Sequence, residues 1–170
     1  PERFDIIKWI KLIISWEPNA QIILHGVSMG AATVLMASGE ELPENVKAII
    51  ADCGYTSEWD EFKCEANALH IPWFPVLNAA SVMSKLRDGY DFKQASALEK
   101  VKQSRIPTLF IHGSDDELVP YSMLDKLYSA AACEKECLTV NGAGHALSSS
   151  VEPELYWNTV ESFIEKYSEK

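Results

Sequence analysis

Gln21-Ile22-Ile23-Leu24-His25-Gly26-Val27-Ser28-Met29-Gly30, followed by Ala31-Ala32-Thr33-Val34-Leu35-Met36-Ala37, sets the architecture of this chain. An apolar run ends in Gly-x-Ser-x-Gly and passes into small and apolar residues, which predicts strand, tight turn, helix. A turn this sharp holds its serine at positive φ. Gly26 and Gly30 are expected to lack side chains because strand and helix would otherwise collide there. The Ser28 hydroxyl is then presented at a helix N-terminus, where backbone N–H groups and the helix dipole favour a developing negative charge. The competing reading is a glycine-rich loop that turns the chain or holds a phosphate. The preceding strand, the following helix and two later motifs weigh against it.

The 170 residues have the length of one domain, long enough to bury a core. The formal charge of -10 and the scatter of the 15 Lys and Arg residues exclude a nucleic-acid partner, which needs basic residues gathered on one face. No run of about 18 apolar residues is present, so no transmembrane segment is expected in this chain. Cys53, Cys64, Cys133 and Cys137 have no zinc-ligand spacing and read as free thiols, which fits a reducing, cytoplasmic compartment. The opening Pro1-Glu2-Arg3-Phe4 carries no initiator Met and no signal-peptide pattern, and resembles the middle of something longer.

Beyond the elbow the chain alternates. Phe4, Ile7, Ile10 and Ile14 predict a surface helix over 2–15, with Pro18 beyond its end. Apolar runs at 46–51, 107–112 and 136–140 predict three further strands covered on both sides. Helices are expected over 29–39, over 121–132 and from Pro153 to the end. Residues 57–94 break this rhythm: they are helical by pattern, interrupted at Pro72 and Pro75, and carry Trp59, Phe62, Trp73 and Phe74. The fold class is therefore α/β, a mostly parallel sheet flanked by helices, one domain over 1–170 with a helical insert at about 57–94.

A serine nucleophile needs a general base, and a histidine base needs a partner that fixes its tautomer. In an open parallel sheet these groups lie beyond the carboxyl ends of strands. His145 follows the fourth strand in the loop Gly142-Ala143-Gly144-His145-Ala146 and is the candidate base. His25 and His112 lie within strand ends and read as packed structural residues, and His70 belongs to the insert. Asp115 and Asp116 follow the third strand and Asp52 follows the second; all three are candidate acids, and one of the aspartate pair is expected to serve the turn.

These motifs resemble the α/β-hydrolase superfamily, in particular its C-terminal portion in bacterial esterase or lysophospholipase-like members and their prolyl-oligopeptidase-like relatives. The elbow Gly26-Val27-Ser28-Met29-Gly30 matches, and His112-Gly113-Ser114-Asp115-Asp116-Glu117-Leu118-Val119-Pro120 resembles the family's H-G-x-x-D-x-x-V-P acid loop. The likeness covers essentially the whole chain. It implies Ser28 as nucleophile, Asp116 as acid and His145 as base, in the order that the superfamily uses. It implies Met29 N–H as one oxyanion donor, no metal and no organic cofactor. The family sheet has eight strands, of which this chain is expected to supply the last four. The second oxyanion donor would then lie in the missing part, leaving this chain alone weakly active or inactive and baring an apolar sheet edge to self-association.

The expected reaction is acyl transfer on a small-molecule carboxylic ester. The insert occupies the place of a family lid, and Trp59, Phe62, Trp73 and Phe74 either line a substrate pocket or pack the insert onto the core. A prolyl-oligopeptidase-like peptidase or amidase is the second reading. A catalytically inactive hydrolase-fold binding protein is the third.

Overall fold

The four apolar runs become one parallel sheet because each must hide both faces, and only helices laid on either side can cover them. In the computed structural model, which describes residues 2–168, the strands are β1 (Ile22–Val27), β2 (Val46–Asp52), β3 (Thr108–Gly113) and β4 (Lys135–Val140), in spatial order β1-β2-β3-β4. Sequence order equals spatial order. Leu24 pairs with Ile49, Ile50 with Leu109, and Phe110 with Cys137, all in parallel register. Every residue of β3 is buried, the polar Thr108 and His112 along with the apolar Leu109, Phe110 and Ile111.

The helices are α1 (Glu2–Trp16), α2 (Met29–Ala37), α3 (Glu58–Ala68), α4 (Trp73–Asp88), α5 (Ala97–Val101), α6 (Ser122–Ala130), α7 (Ser148–Val151) and α8 (Pro153–Tyr167). Strand alternation splits the core between the two faces of the sheet. On one face Ile49, Ala51 and Phe110 pack against α2, α5 and α6. On the other, Ile50, Leu109, Ile111 and Val140 pack against Tyr156, Val160 and Phe163 of α8, an i, i+4, i+7 stripe. Residues Ala31 to Ala37 of α2 are all buried, and the alanines among them let this helix lie close against the sheet.

The insert leaves the sheet after β2 and returns before β3. Ser57 and Ser96 form an isolated antiparallel bridge that ties its two ends together. Ser57 caps α3 by accepting the Asp60 N–H at 3.1 Å. The break between α3 and α4 falls at the prolines, as the sequence predicts, and α4 ends on Gly89 at φ 82°. The short helices α5 and α7 have no counterpart in the sequence reading, because four or five residues are too few to show a period. Strand β1 runs on to Val27, two residues past its apolar run, because Gly26 and Val27 pair with Ala51 and Asp52.

Candidate active site

Ser28, Asp116 and His145 lie beyond the carboxyl ends of β1, β3 and β4, and the loops that carry them are stitched to one another. Ser28 N–H donates to the Asp52 carbonyl at 2.8 Å, which anchors the elbow to the end of β2. Asp115 N–H donates to the Ala143 carbonyl at 3.0 Å, and Gly142 N–H to Ser114 Oγ at 2.8 Å, which joins the loop after β3 to the loop after β4. This junction explains Gly113: a Cβ there would run into the Ala143 carbonyl.

At the elbow Ser28 adopts φ 55°, ψ -117°, the positive-φ conformation that the sequence predicts, and its side chain caps nothing in α2. Its hydroxyl is therefore available for a partner outside the helix. The two flanking glycines differ. A Cβ on Gly26 would collide with the Gly30 carbonyl, as expected. A Cβ on Gly30 would meet nothing within 4 Å among the described residues, so the requirement for a bare Gly30 is corrected: its carbonyl lies against Gly26, but its Cβ direction is open.

His145 Nε2 is 2.8 Å from Ser28 Oγ, and His145 Nδ1 is 2.9 Å from Asp116 Oδ2. Burial raises the Asp116 carboxyl, but hydrogen bonds from His112, His145 and the Val119 N–H outweigh it and hold the group below the ordinary carboxylate value. An ionised Asp116 makes His145 Nδ1 the protonated nitrogen and leaves Nε2 to accept the serine proton. Asp116 also accepts the N–H groups of Leu118 (3.0 Å) and Val119 (2.9 Å), so the same carboxylate serves the turn and the histidine. Asp115 is exposed and accepts Ser114 Oγ. Asp52 is buried, its carboxyl raised first by that burial, and it accepts Ser148 Oγ at 3.3 Å.

His112 does more than pack. It is fully buried, with Nε2 3.0 Å from the Val119 carbonyl and 3.3 Å from Asp116 Oδ2. Nε2 must therefore carry the proton, and Nδ1 is left buried without a partner among the described residues. His112 is the packed residue that the sequence suggests, and the structure adds its contact with Asp116. Its spacing, His112-x-x-x-Asp116, was the available signal.

A cavity of about 340 Å³ opens beside Ser28 and Met29, walled by Tyr55, Glu61, Phe62 and Phe92 among others. An apolar groove of about 340 Å³ under the insert shares Phe62 and Phe92 with it and continues past Leu69, Ile71 and Trp73. Of the four aromatic residues singled out from sequence, Phe62 faces both spaces and Trp73 the groove. Trp59 turns to another depression, stacking edge-on with Trp73 at 6.4 Å, and Phe74 is 65% exposed; neither lines the Ser28 cavity, because α4 breaks at Phe74 and points it outward. Tyr55, Glu61 and Phe92 carry no sequence motif and were missed.

Among the described residues, Cys53 Sγ, Asp116 and His145 lie close enough to share a metal ion. Burial pushes the Cys53 thiol up to about 12, and both His145 nitrogens already have partners, so the three do not make a ready ligand set. No helix among those residues is long and apolar enough to cross a membrane.

The parallel sheet, the elbow and the strand-end loops are those of an α/β hydrolase. Within that class the chain belongs to the prolyl oligopeptidase family, which it matches over residues 4–170. It is similar to the Bacillus subtilis protein YqkD, 29% identical over 170 residues, 99% of this chain and 56% of that protein. It is also similar to human alpha/beta hydrolase domain-containing protein 17C, 30% identical over 106 residues, 61% of this chain and 32% of that protein. The chain thus spans about half, or less, of the length of these relatives. Among solved structures, Pyrococcus horikoshii acylaminoacyl peptidase superposes with a TM-score of 0.75 at 19% identity, over 99% of this chain and 28% of that one. Pyrococcus furiosus esterase Pf2001 superposes with a TM-score of 0.73 at 20% identity, over 98% and 62%. At these identities the likeness concerns the fold.

Proposed function

We propose that this protein is a serine hydrolase that cleaves carboxylic esters of small molecules through an acyl-enzyme on Ser28. One observation carries the reading: the continuous relay from Ser28 Oγ to His145 Nε2 at 2.8 Å and from Nδ1 to Asp116 at 2.9 Å. Ser28 Oγ attacks the carbonyl carbon as His145 Nε2 takes its proton. Asp116 holds the ring and stabilises the imidazolium. The oxygen that becomes negative is received by the Met29 N–H, one of the donors a helix start leaves without an intrahelical acceptor. Collapse expels the alcohol, protonated by His145. Water then repeats the sequence to release the acid and restore Ser28. No step needs a metal or an organic cofactor.

The helices α3 and α4 serve as a lid over one catalytic domain. Phe62 and Phe92, common to the cavity and the groove, give an apolar acyl chain a path from Ser28 towards Trp73. A peptidase or amidase acting by the same steps is the second reading, favoured by family membership and by the likeness to an acylaminoacyl peptidase.

A fluorophosphonate probe should label the protein at Ser28, and Ser28→Ala should abolish labelling. Labelling that survives this substitution refutes the assignment. p-Nitrophenyl esters from acetate to laurate, run beside aminoacyl-nitroanilides, separate esterase from peptidase. Silence of the full-length protein on both series, with no labelling, favours a binding protein.

A further inference from the structure

The cavity beside Ser28 is acidic in a way that the ester reading does not use. Glu58, Glu61 and Glu65 all line it, at i, i+3 and i+7 of α3, so one face of that helix presents three carboxylates to the same space. Like charges at this spacing repel and weaken a helix, so the arrangement calls for a compensating charge. Capping of α3 does not require them, because Asp60 already binds Thr56 and Ser57. Burial raises the Glu58 carboxyl, and Tyr90 beside it works the other way.

Glu61 is different. Its residue is 7% exposed, and its Oε2 is buried with no hydrogen-bond partner among the described residues. Leaving a carboxylate oxygen unmatched in a buried site is costly. Among the described residues that line the cavity, none is Lys, Arg or His. The rest of the wall includes the rings of Tyr55, Phe62, Tyr90 and Phe92, whose faces attract cations. Burial, with smaller contributions from Glu65 and Asp116, raises the Glu61 carboxyl to about 7. A group so balanced ionises readily when a cation arrives.

We propose that this cavity is a subsite for an aliphatic cation, an ammonium or guanidinium group carried by the substrate, and that Glu61 receives it. The inference rests on the hydrolase reading of Ser28 and names the substrate class for it: acyl compounds bearing a basic side chain. The overall charge of -10 works in the same direction, drawing cations towards the molecule.

The test compares p-nitrophenyl esters of Nα-acetyl-lysine and Nα-acetyl-norleucine, which differ by the terminal ammonium. A charge-assisted hydrogen bond corresponds to a preference of at least ~10-fold in kcat/KM for the lysyl ester. Glu61→Gln should bring the two esters to within about two-fold of each other, chiefly through KM. Equal kcat/KM for the two esters in the unmodified protein overturns the proposal, as does a preference that Glu61→Gln leaves intact. Binding is measured separately on Ser28→Ala by calorimetry, with 4-phenylbutylammonium against 4-phenylbutanol. Tighter binding of the ammonium supports the cation subsite even if neither ester is cleaved and no probe labels Ser28, the result that sinks the hydrolase reading alone. Equal binding of amine and alcohol overturns the subsite whatever the activity.

Discussion

Asp116 is the residue on which the candidate site converges. One carboxylate accepts two backbone N–H groups, His145 and the buried His112. Replacing it by Asn removes the charge that fixes the His145 tautomer, and kcat should fall about 10⁴-fold, as it does for the equivalent change in a serine protease. Ester kinetics on Asp116→Asn check this; a loss of less than ten-fold would show that another acid partners His145. Glu61 offers a second, activity-independent measurement. Its carboxyl is raised from 4.5 to about 7. Between those values the folded protein holds a proton that the unfolded chain has lost, so stability falls as pH rises through this window. Glu61→Gln removes the penalty. The variant should be more stable than the parent by about 1–3 kcal/mol at pH 8, and the gain should vanish below about pH 4.5. Denaturant titrations at the two pH values read the difference. A gain independent of pH would mean that Glu61 does not titrate in this way.

At the scale of elements, the elbow between β1 and α2 makes the two glycines unequal. Gly26→Ala forces a Cβ into the Gly30 carbonyl, a backbone atom that cannot step aside, and should cost about 3 kcal/mol or prevent folding. Gly30→Ala adds a methyl to open space inside a helix and should stabilise by about 0.5 kcal/mol, by restricting the unfolded chain. Thermal or chemical denaturation of the pair tests the geometry; equal losses at both positions would contradict it. The sequence pattern marked both glycines alike, because a motif records residue types and not the direction in which each Cβ would point. The insert shows the same limit. Its helices and their break at Pro72 and Pro75 were legible from periodicity and proline placement. Which of Trp59, Phe62, Trp73 and Phe74 face the serine was not, since that depends on how α3 and α4 rotate over the sheet.

For the whole molecule, β1 is the edge of the four-stranded sheet and is paired on one side, with β2. An unprotected edge strand is a template for another strand. This stretch of chain on its own is therefore expected to self-associate as concentration rises, and Val27→Lys, at an exposed edge position, should reduce this. Sedimentation velocity over a range of concentrations decides it: a monomer throughout would show that the edge is already blunted.

The sequence by itself determined the α/β class, the four strands and the elbow, and placed a candidate base at His145 and candidate acids after the second and third strands. Apolar runs, glycine-rich turns and strand–helix alternation are local properties, set by backbone sterics and by the need to bury each face. Tertiary structure alone decided which aspartate meets His145, that His112 also touches Asp116, and that Glu61 brings a buried, unmatched Oε2 to the wall of the cavity beside the serine. Ser28 and His145 are 117 residues apart in sequence and 2.8 Å apart in space. Contacts of this kind follow from how the strands order and the loops stitch together, and no window of local sequence contains them.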